Sequence, residues 1–216
     1  MRYLMMITAV MLAPLQAIAQ PWQPANGDKL EFDVLRDGGE FGTHIVKFSR
    51  EGETLTVDTD VVLKVAFGPI TLFDYSHDVT EKYVGDRLTW VGSRTKKDGK
   101  WKTLSAQAGE GGLKVDGAKF KGLLPGKVIP STHWNRDEMT LPAMFSTETG
   151  EMLPIKVKDR GVESIKAGGK MISARRFDVD SDIDASFWYD DQGRWVKCAF
   201  ETQGSKIDYV LRKLPG

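Results

Sequence analysis

The chain has 216 residues, and its 30 basic residues balance its 30 acidic ones, so its formal net charge is zero. A nucleic-acid-binding protein is expected to carry a basic stripe, but the basic residues here are dispersed, which excludes nucleic acid as a partner. Cys198 is the only cysteine, so no internal disulfide bond can form. The length suits one domain that buries its own core.

Residues 1–19 predict a secretory signal peptide. One basic residue, Arg2, precedes a near-continuous apolar run from Tyr3 to Leu15, and the segment ends in the small-x-small triplet AIA at 17–19. This run is too short for a transmembrane span. We therefore expect cleavage after Ala19, localisation in the periplasm, no transmembrane span after cleavage, and a single mature domain over residues 20–216.

Period-two alternation of apolar and polar residues dominates the first half of the mature chain and predicts β-strands. Turn signals separate the strands, among them Asp37-Gly38 and Asp98-Gly99. The densest basic group, Lys96, Lys97, Lys100 and Lys102, falls on the second of these predicted hairpins, where it is expected to face solvent. The residues expected to share the inner face are Leu30, Phe32, Val34, His44, Val46, Phe48, Leu55, Val57, Val61, Leu63, Val65, Phe73, Tyr75, His77, Val79, Tyr83, Leu88 and Trp90.

The second half continues the pattern after one irregular region at residues 125–149. That region holds three prolines, and Asn135 followed by Glu138 predicts a capped short helix. We interpret it either as a functional lid or as a plug that closes one end of a barrel. Strands are then predicted at 155–157, 162–167, 171–179, 183–189, 195–200 and 207–211, with glycines in most of the breaks between them.

The predicted fold class is all-β. We expect a single large, strongly curved antiparallel sheet, half-barrel or barrel-like, with about a dozen hairpin-linked strands and one irregular crossover segment. Side chains can just fill the interior of an eight-stranded barrel, and a sheet of about a dozen strands encloses more space than that. The surplus space is either a well-packed core or a ligand cavity with apolar walls and a few polar anchors.

Several polar residues fall in phase with apolar faces and are the candidates for a site. His44 shares a face with Val46, and Glu81 follows His77 on the same face four residues later. Together with Arg36, which continues the face of Leu30 to Val34, these residues either form a metal or acid–base site, satisfy one another as a buried polar patch, or line the mouth of a cavity. Because their spacing matches no ligand motif, we predict no metal, no cofactor and no catalytic residue. Cys198 is in phase with Val196 and Phe200, which predicts a buried apolar role for its thiol.

Seven segments occur in a familiar order along the chain: 32–38 (FDVLRDG), 42–44 (GTH), 75–81 (YSHDVTE), 132–135 (THWN), 145–150 (FSTETG), 187–197 (FWYDDQGRWVK) and 207–211 (IDYVL). Through these segments the chain resembles the DUF6134 family of exported bacterial proteins of unknown function. The resemblance covers nearly the whole mature chain and implies a β-rich single domain, but it brings no known reaction, cofactor or catalytic residue. The last part of the chain also resembles the DUF3108 family, another set of exported β-rich proteins.

We therefore predict an exported, non-enzymatic protein that binds an apolar small molecule or lipid in the sheet cavity. The first alternative is an envelope enzyme that uses His77 with Glu81, or His44 with His77 on a metal. The second is a structural or interaction module of the cell envelope whose sheet edge pairs with an unknown protein partner. The candidate ligand-binding residues are Arg36, His44, Phe73, Tyr75, His77, Glu81, Trp90, Trp134, Phe177 and Phe187.

Overall fold

The structure is a computed structural model that describes residues 22–67 and 70–215. The predicted signal peptide lies outside the described residues. Among the described residues, no helix has the length and apolarity needed to cross a membrane.

The first eight strands form a continuous antiparallel meander. Two-residue turns connect some of them, and Asp37 (φ 51°) with Gly38 (φ 82°) and Asp98 (φ 48°) with Gly99 (φ 81°) have the paired positive φ angles of tight hairpin turns. Both turns were predicted. The strands are β1 (Lys29–Arg36), β2 (Gly39–Glu51), β3 (Thr54–Phe67), β4 (Ile70–Val84), β5 (Arg87–Lys97), β6 (Lys100–Gly109), β7 (Gly112–Asp116) and β8 (Lys121–Leu124).

The second half contains a short hairpin, one turn of 3₁₀ helix and a second meander. The 3₁₀ helix (Arg136–Thr140) begins after Asn135, whose side chain caps it by accepting a hydrogen bond from the Asp137 backbone N–H. The strands are β9 (Ala143–Phe145), β10 (Met152–Pro154), β11 (Lys156–Ala167), β12 (Lys170–Asp180), β13 (Ala185–Asp190), β14 (Trp195–Thr202) and β15 (Ser205–Leu211).

Of the described strands, all except β9 and β10 belong to one sheet of 13 strands, and β9 and β10 pair with each other. Its strand order is β11-β12-β13-β14-β15-β1-β2-β3-β4-β5-β6-β7-β8, so β11 and β8 are its two edges and the sheet does not close. All of its neighbouring strands are antiparallel. The two meanders join where β1 pairs with β15, with Phe32 opposite Leu211. The predicted all-β, half-barrel fold is confirmed.

The segment of residues 125–155, which we call the crossover segment, connects the two edges of the sheet. It leaves the end of β8 and reaches the start of β11. It packs Trp134, Met139 and Phe145 into the same apolar cluster as the inner face of the sheet. The crossover segment therefore fills the opening that the unclosed sheet leaves.

Two sequence predictions differ from the structure because β-bulges interrupt the alternation. Gly161 was read as a break between two strands, but it lies within β11, at an irregularity in the pairing of β11 with β12. Trp90 was predicted to face inward in phase with Leu88. The register shifts between β4 and β5 beside these residues, so Val91 is buried and Trp90 lies on the other face. A bulge adds one residue to one strand and so reverses the phase beyond it.

Candidate functional site

A cleft of about 470 Å³ separates the crossover segment from the inner face of the sheet. This volume lies within the usual range of small-molecule sites. The wall formed by β12 to β15 is mainly apolar: Val179, Ala185, Phe187, Trp195, Cys198, Phe200 and Tyr209, together with Ser181, Asp182 and Ile183 from between β12 and β13. The opposite wall is mainly polar: Tyr75, His77, Lys102, Lys119, Ser131, His133, Ser146, Thr147, Glu148, Thr149 and Glu151, with the apolar Met144 and Leu153.

The apolar wall is built by strand register. Phe187 lies opposite Cys198, and Cys198 lies opposite Tyr209, so these side chains form one row across three strands. Trp195 packs beside them, with its ring centroid 5.8 Å from that of Tyr209. Burial raises the pKa of the Cys198 thiol well above its ordinary value. Cys198 is therefore a neutral wall group, as its phase predicted, and not a nucleophile.

The polar wall contains a hydrogen-bonded rim of three residues. Lys102 Nζ lies 2.6 Å from Glu148 Oε1, and the Tyr75 hydroxyl donates to Glu148 Oε2 at 3.4 Å. Burial alone opposes ionisation of Glu148, but the hydrogen bond and charge of Lys102 outweigh it and lower the pKa of Glu148. Burial raises the pKa of Tyr75, so its phenol stays neutral. The rim thus presents an ion pair and a hydroxyl to the cleft.

His77 lines the cleft, but both of its ring nitrogens already have partners. Nδ1 lies 2.8 Å from Thr95 Oγ1 on β5, and Nε2 lies 3.0 Å from Thr147 Oγ1 on the crossover segment. Burial lowers the pKa of His77 to about 4, although Glu148 and Asp78 oppose this shift. His77 is therefore a neutral link between the sheet and the crossover segment.

His44 lies behind the apolar wall rather than in the cleft. Its ring makes edge contacts with Trp195 at 5.1 Å and Tyr209 at 5.6 Å, both between centroids. Neither ring nitrogen has a hydrogen-bond partner among the described residues. Burial is the main cause that lowers the pKa of His44 to about 3, and His133 and His77 add to it.

His44 and His77 contact different side chains: His44 packs on Trp195 and Tyr209, whereas His77 lies within hydrogen-bond distance of Thr95 and Thr147. Both lie opposite Val61, on either side of β3. Two strand spacings put their backbones about 10 Å apart. Within residues 22–67 and 70–215, no group of three or more His, Cys, Asp or Glu side chains is arranged to hold a metal ion.

Glu81 lies fully buried beneath the crossover segment, away from the cleft. Its carboxyl accepts hydrogen bonds from the Thr132 hydroxyl at 2.5 Å, from Trp134 Nε1 at 3.2 Å and from the Tyr83 hydroxyl. Burial raises the pKa of Glu81 and outweighs these hydrogen bonds, which lower it. Glu81 and Trp134, both predicted ligand-binding residues, connect the crossover segment to β4.

The remaining predicted residues are spread over the molecule. Arg36 Nε donates to Ser205 Oγ at 2.9 Å, at the seam between the two meanders. Phe73 and Phe177 are half-buried and pack near the cleft, on Tyr75 at 6.4 Å and on Tyr189 at 6.0 Å between centroids, but they do not line it. Trp90 packs under Lys82, with Nζ 5.8 Å from the ring centroid. The cleft thus contains Tyr75, His77 and Phe187 of the predicted set.

His133 and Glu138 form a pair at the cleft that sequence reasoning did not assign. His133 has a φ of 64°, and its ring lies 4.5 Å from that of Phe187 between centroids. Its Nδ1 lies 3.0 Å from Glu138 Oε1, which also accepts from the Tyr189 hydroxyl at 2.9 Å. Glu138 was expected to cap the helix, but it turns inward. Because Nδ1 is bound to Glu138, Nε2 is the nitrogen with which His133 can bind a ligand.

These features define a class of open, barrel-like β-proteins with an internal cleft. The sequence matches the family model "Domain of unknown function (DUF6134)" over residues 32–212, and the chain belongs to the DUF6134 family. This confirms the resemblance in the sequence. No curated protein sequence matches the chain significantly.

A solved structure has the same architecture. It is the crystal structure of a beta-barrel-like protein of domain of unknown function DUF1849 from Brucella abortus, with a TM-score of 0.62 and 12% sequence identity. The alignment covers 87% of this chain and 96% of that chain. At this identity, the similarity supports the fold alone.

Proposed function

We propose that the chain is an exported, non-enzymatic protein that binds an apolar or lipid-like molecule in the cleft. The single observation that carries this proposal is the division of the cleft into an aromatic, apolar wall and a polar wall with an ion pair. A molecule with an apolar body and a polar end matches both walls. The signal-peptide pattern of residues 1–19 supports export.

The geometry supports an orientation for such a ligand. Its apolar body lies against Phe187, Trp195 and Tyr209, where each methylene removed from water contributes about 0.8 kcal/mol before the cost of association. Its polar end meets His133 Nε2 and the hydroxyl of Tyr75. His44 and Arg36, which the sequence offered as candidate ligand-binding residues, do not line the cleft.

A substitution that fills the cleft tests the proposal. Ala185 lines the cleft, so Ala185→Phe is expected to lower the affinity for a fluorescent fatty acid at least about tenfold, since the larger ring occupies the space of the ligand. Ala25→Phe places the same ring in the exposed segment before β1 and is the matched control. The measurement is a fluorescence titration, with circular dichroism to check that both variants fold.

Native mass spectrometry of the protein purified from its own cells provides a second readout. We expect an extra mass bound to the wild type that is absent from Ala185→Phe. A ligand-free wild type that also fails to take up the fluorescent fatty acid would refute the proposal. Equal uptake by Ala185→Phe and the wild type would place any binding outside this cleft.

A further inference from the structure

Exposed apolar side chains gather at the end of the sheet that contains the β5–β6 hairpin. Val62, Ser76, Lys96 and Trp101 lie opposite one another in a single row across β3 to β6, on the face turned away from the core. Val62 is 43% exposed, Trp101 is 50% exposed, and Leu72 on β4 is 65% exposed. Isolated exposed apolar residues are ordinary. Here three of them, including a tryptophan, lie at one end of the sheet, which is typical of an interaction surface.

Basic residues surround these apolar side chains. Lys96 and Trp101 are cross-strand partners, and Lys97 and Lys100 flank the turn between them. Arg94 lies over the Trp101 ring, with its guanidinium carbon 4.0 Å from the centroid. We name the set Val62, Leu72, Lys96, Lys97, Lys100 and Trp101 the lysine–tryptophan end.

The local charge at this end is positive. Lys64 on β3 joins the three lysines of the set, and the acidic residues interleaved with them are Asp74, which pairs with Lys96 at 2.7 Å, and Asp98 in the turn. At the strand ends, four lysines against two aspartates leave a net charge of +2 in a chain whose total charge is zero. The next row inward adds Arg94 with Asp78 and Asp60, which lowers this surplus to +1. The outermost part of this end is therefore positively charged where the apolar side chains are exposed.

We propose that the lysine–tryptophan end binds the surface of an anionic phospholipid membrane. Tryptophan settles at the boundary between headgroups and acyl chains, and the stems of lysine side chains lie along apolar surface while their ammonium groups reach the phosphates. Each lysine near an anionic leaflet strengthens the attraction, and Leu72 and Val62 add apolar contact. A phospholipid surface matches both the charge and the exposed apolar area.

The same end of the sheet borders the cleft. Tyr75 of the cleft rim lies opposite Lys97, and Lys102 of the rim directly follows Trp101 in β6. Membrane binding at this end would bring the cleft rim close to the lipid headgroups. Lys97 and Lys100 are in phase with the cleft-facing Tyr75, whereas Val62, Lys96 and Trp101 lie on the outer face, so this end has charged groups on both faces of the sheet. The inference does not depend on what the cleft binds.

Vesicle co-sedimentation of the purified protein tests the inference. The probes are vesicles of phosphatidylcholine alone and vesicles of phosphatidylcholine and phosphatidylglycerol in equal parts. We expect the wild type to bind the anionic vesicles and to dissociate as salt is added. Lys97→Glu with Lys100→Glu is expected to weaken binding roughly thirtyfold, and Leu72→Ala with Trp101→Ala about tenfold.

Matched controls lie on the β11–β12 hairpin. Lys166→Glu with Lys170→Glu changes the charge by the same amount, and Met171→Ala removes an apolar side chain that is 66% exposed. Both controls should bind as the wild type does. A wild type that stays in the supernatant with both vesicle types, or controls that lose as much binding as the test variants, would overturn the inference. Because no step uses the cleft, Ala185→Phe should still bind vesicles, so failure of the two proposals can be distinguished.

Discussion

His44 shows how a single buried residue can oppose the stability of the fold. Its ring lies among Phe32, Trp195 and Tyr209, and its two nitrogens have lost water without gaining a partner among the described residues. An unsatisfied buried polar group costs about 1–3 kcal/mol. His77, with a hydroxyl at each nitrogen, carries no such penalty.

We therefore predict opposite effects for the same substitution at two histidines. His44→Leu is expected to raise the free energy of unfolding at pH 7 by about 1–2 kcal/mol, because an apolar side chain of similar size suits the site. His77→Leu is expected to lower it by about 2 kcal/mol, because Thr95 and Thr147 lose their partner. Urea unfolding measures both, and a loss of stability in His44→Leu would contradict the argument.

Both histidines also predict how stability changes with pH. Their folded-state pKa values, about 3 for His44 and about 4 for His77, lie below the ordinary value of 6.5. Below pH 6.5 the histidines of the unfolded chain bind protons that the folded chain does not bind. The free energy of unfolding is therefore highest above pH 6.5 as far as these two groups determine it, and it decreases as the pH falls toward 4. In His44→Leu the decrease should be shallower, because one of the two groups is gone.

At the scale of elements, the crossover segment is held by side-chain links rather than by strand pairing with the large sheet. Glu81 binds Thr132 and Trp134, and His77 binds Thr147. The Tyr189 hydroxyl donates to the backbone carbonyl of His133 at 2.9 Å. These links come from both meanders, so the crossover segment also ties the two halves of the open sheet together.

Removal of the Glu81 carboxyl should release this segment first. Glu81→Ala leaves three buried donors without their acceptor and is expected to destabilise the protein by on the order of 3 kcal/mol. Limited proteolysis should then cut within residues 125–149 faster than in the wild type. Glu110→Ala, at an exposed turn, is the control. Unchanged cleavage in Glu81→Ala would show that the link is dispensable.

The sequence predicts strands and turns better than it predicts this segment. Alternation and the turn pairs Asp37-Gly38 and Asp98-Gly99 identify the hairpins, because each depends on local conformation. The inward turn of Glu138 depends on His133 and Tyr189, which lies more than fifty residues away in sequence. The predicted inward orientation of Trp90 was wrong because a β-bulge, which has no sequence marker here, reversed the phase of β5.

For the whole molecule, the decisive feature is the position of β15 inside the sheet. It lies between β14 and β1, and its pairing with β1 joins the two meanders in one sheet. β8 lies at an edge and pairs only with β7. We therefore expect β15 to contribute more to the stability of the fold than β8 does.

Proline substitution in these two strands tests that expectation. Val210→Pro should lower the free energy of unfolding by on the order of 3 kcal/mol or prevent folding, since it distorts a ladder with partners on both sides. Leu123→Pro, at a similarly exposed apolar position of β8, should cost less. Thermal unfolding compares them, and an equal loss in both variants would contradict a central role for β15.

The pairing of β1 with β15 also sets an order of events during synthesis. Phe32 meets Leu211, so β1 must wait until residue 211 has been synthesised before it acquires its second neighbour. Contacts this remote in sequence slow folding, and the open edge of β1 remains available to other chains in the meantime. The large sheet therefore cannot acquire its full strand order until residues 205–211 are present in the chain.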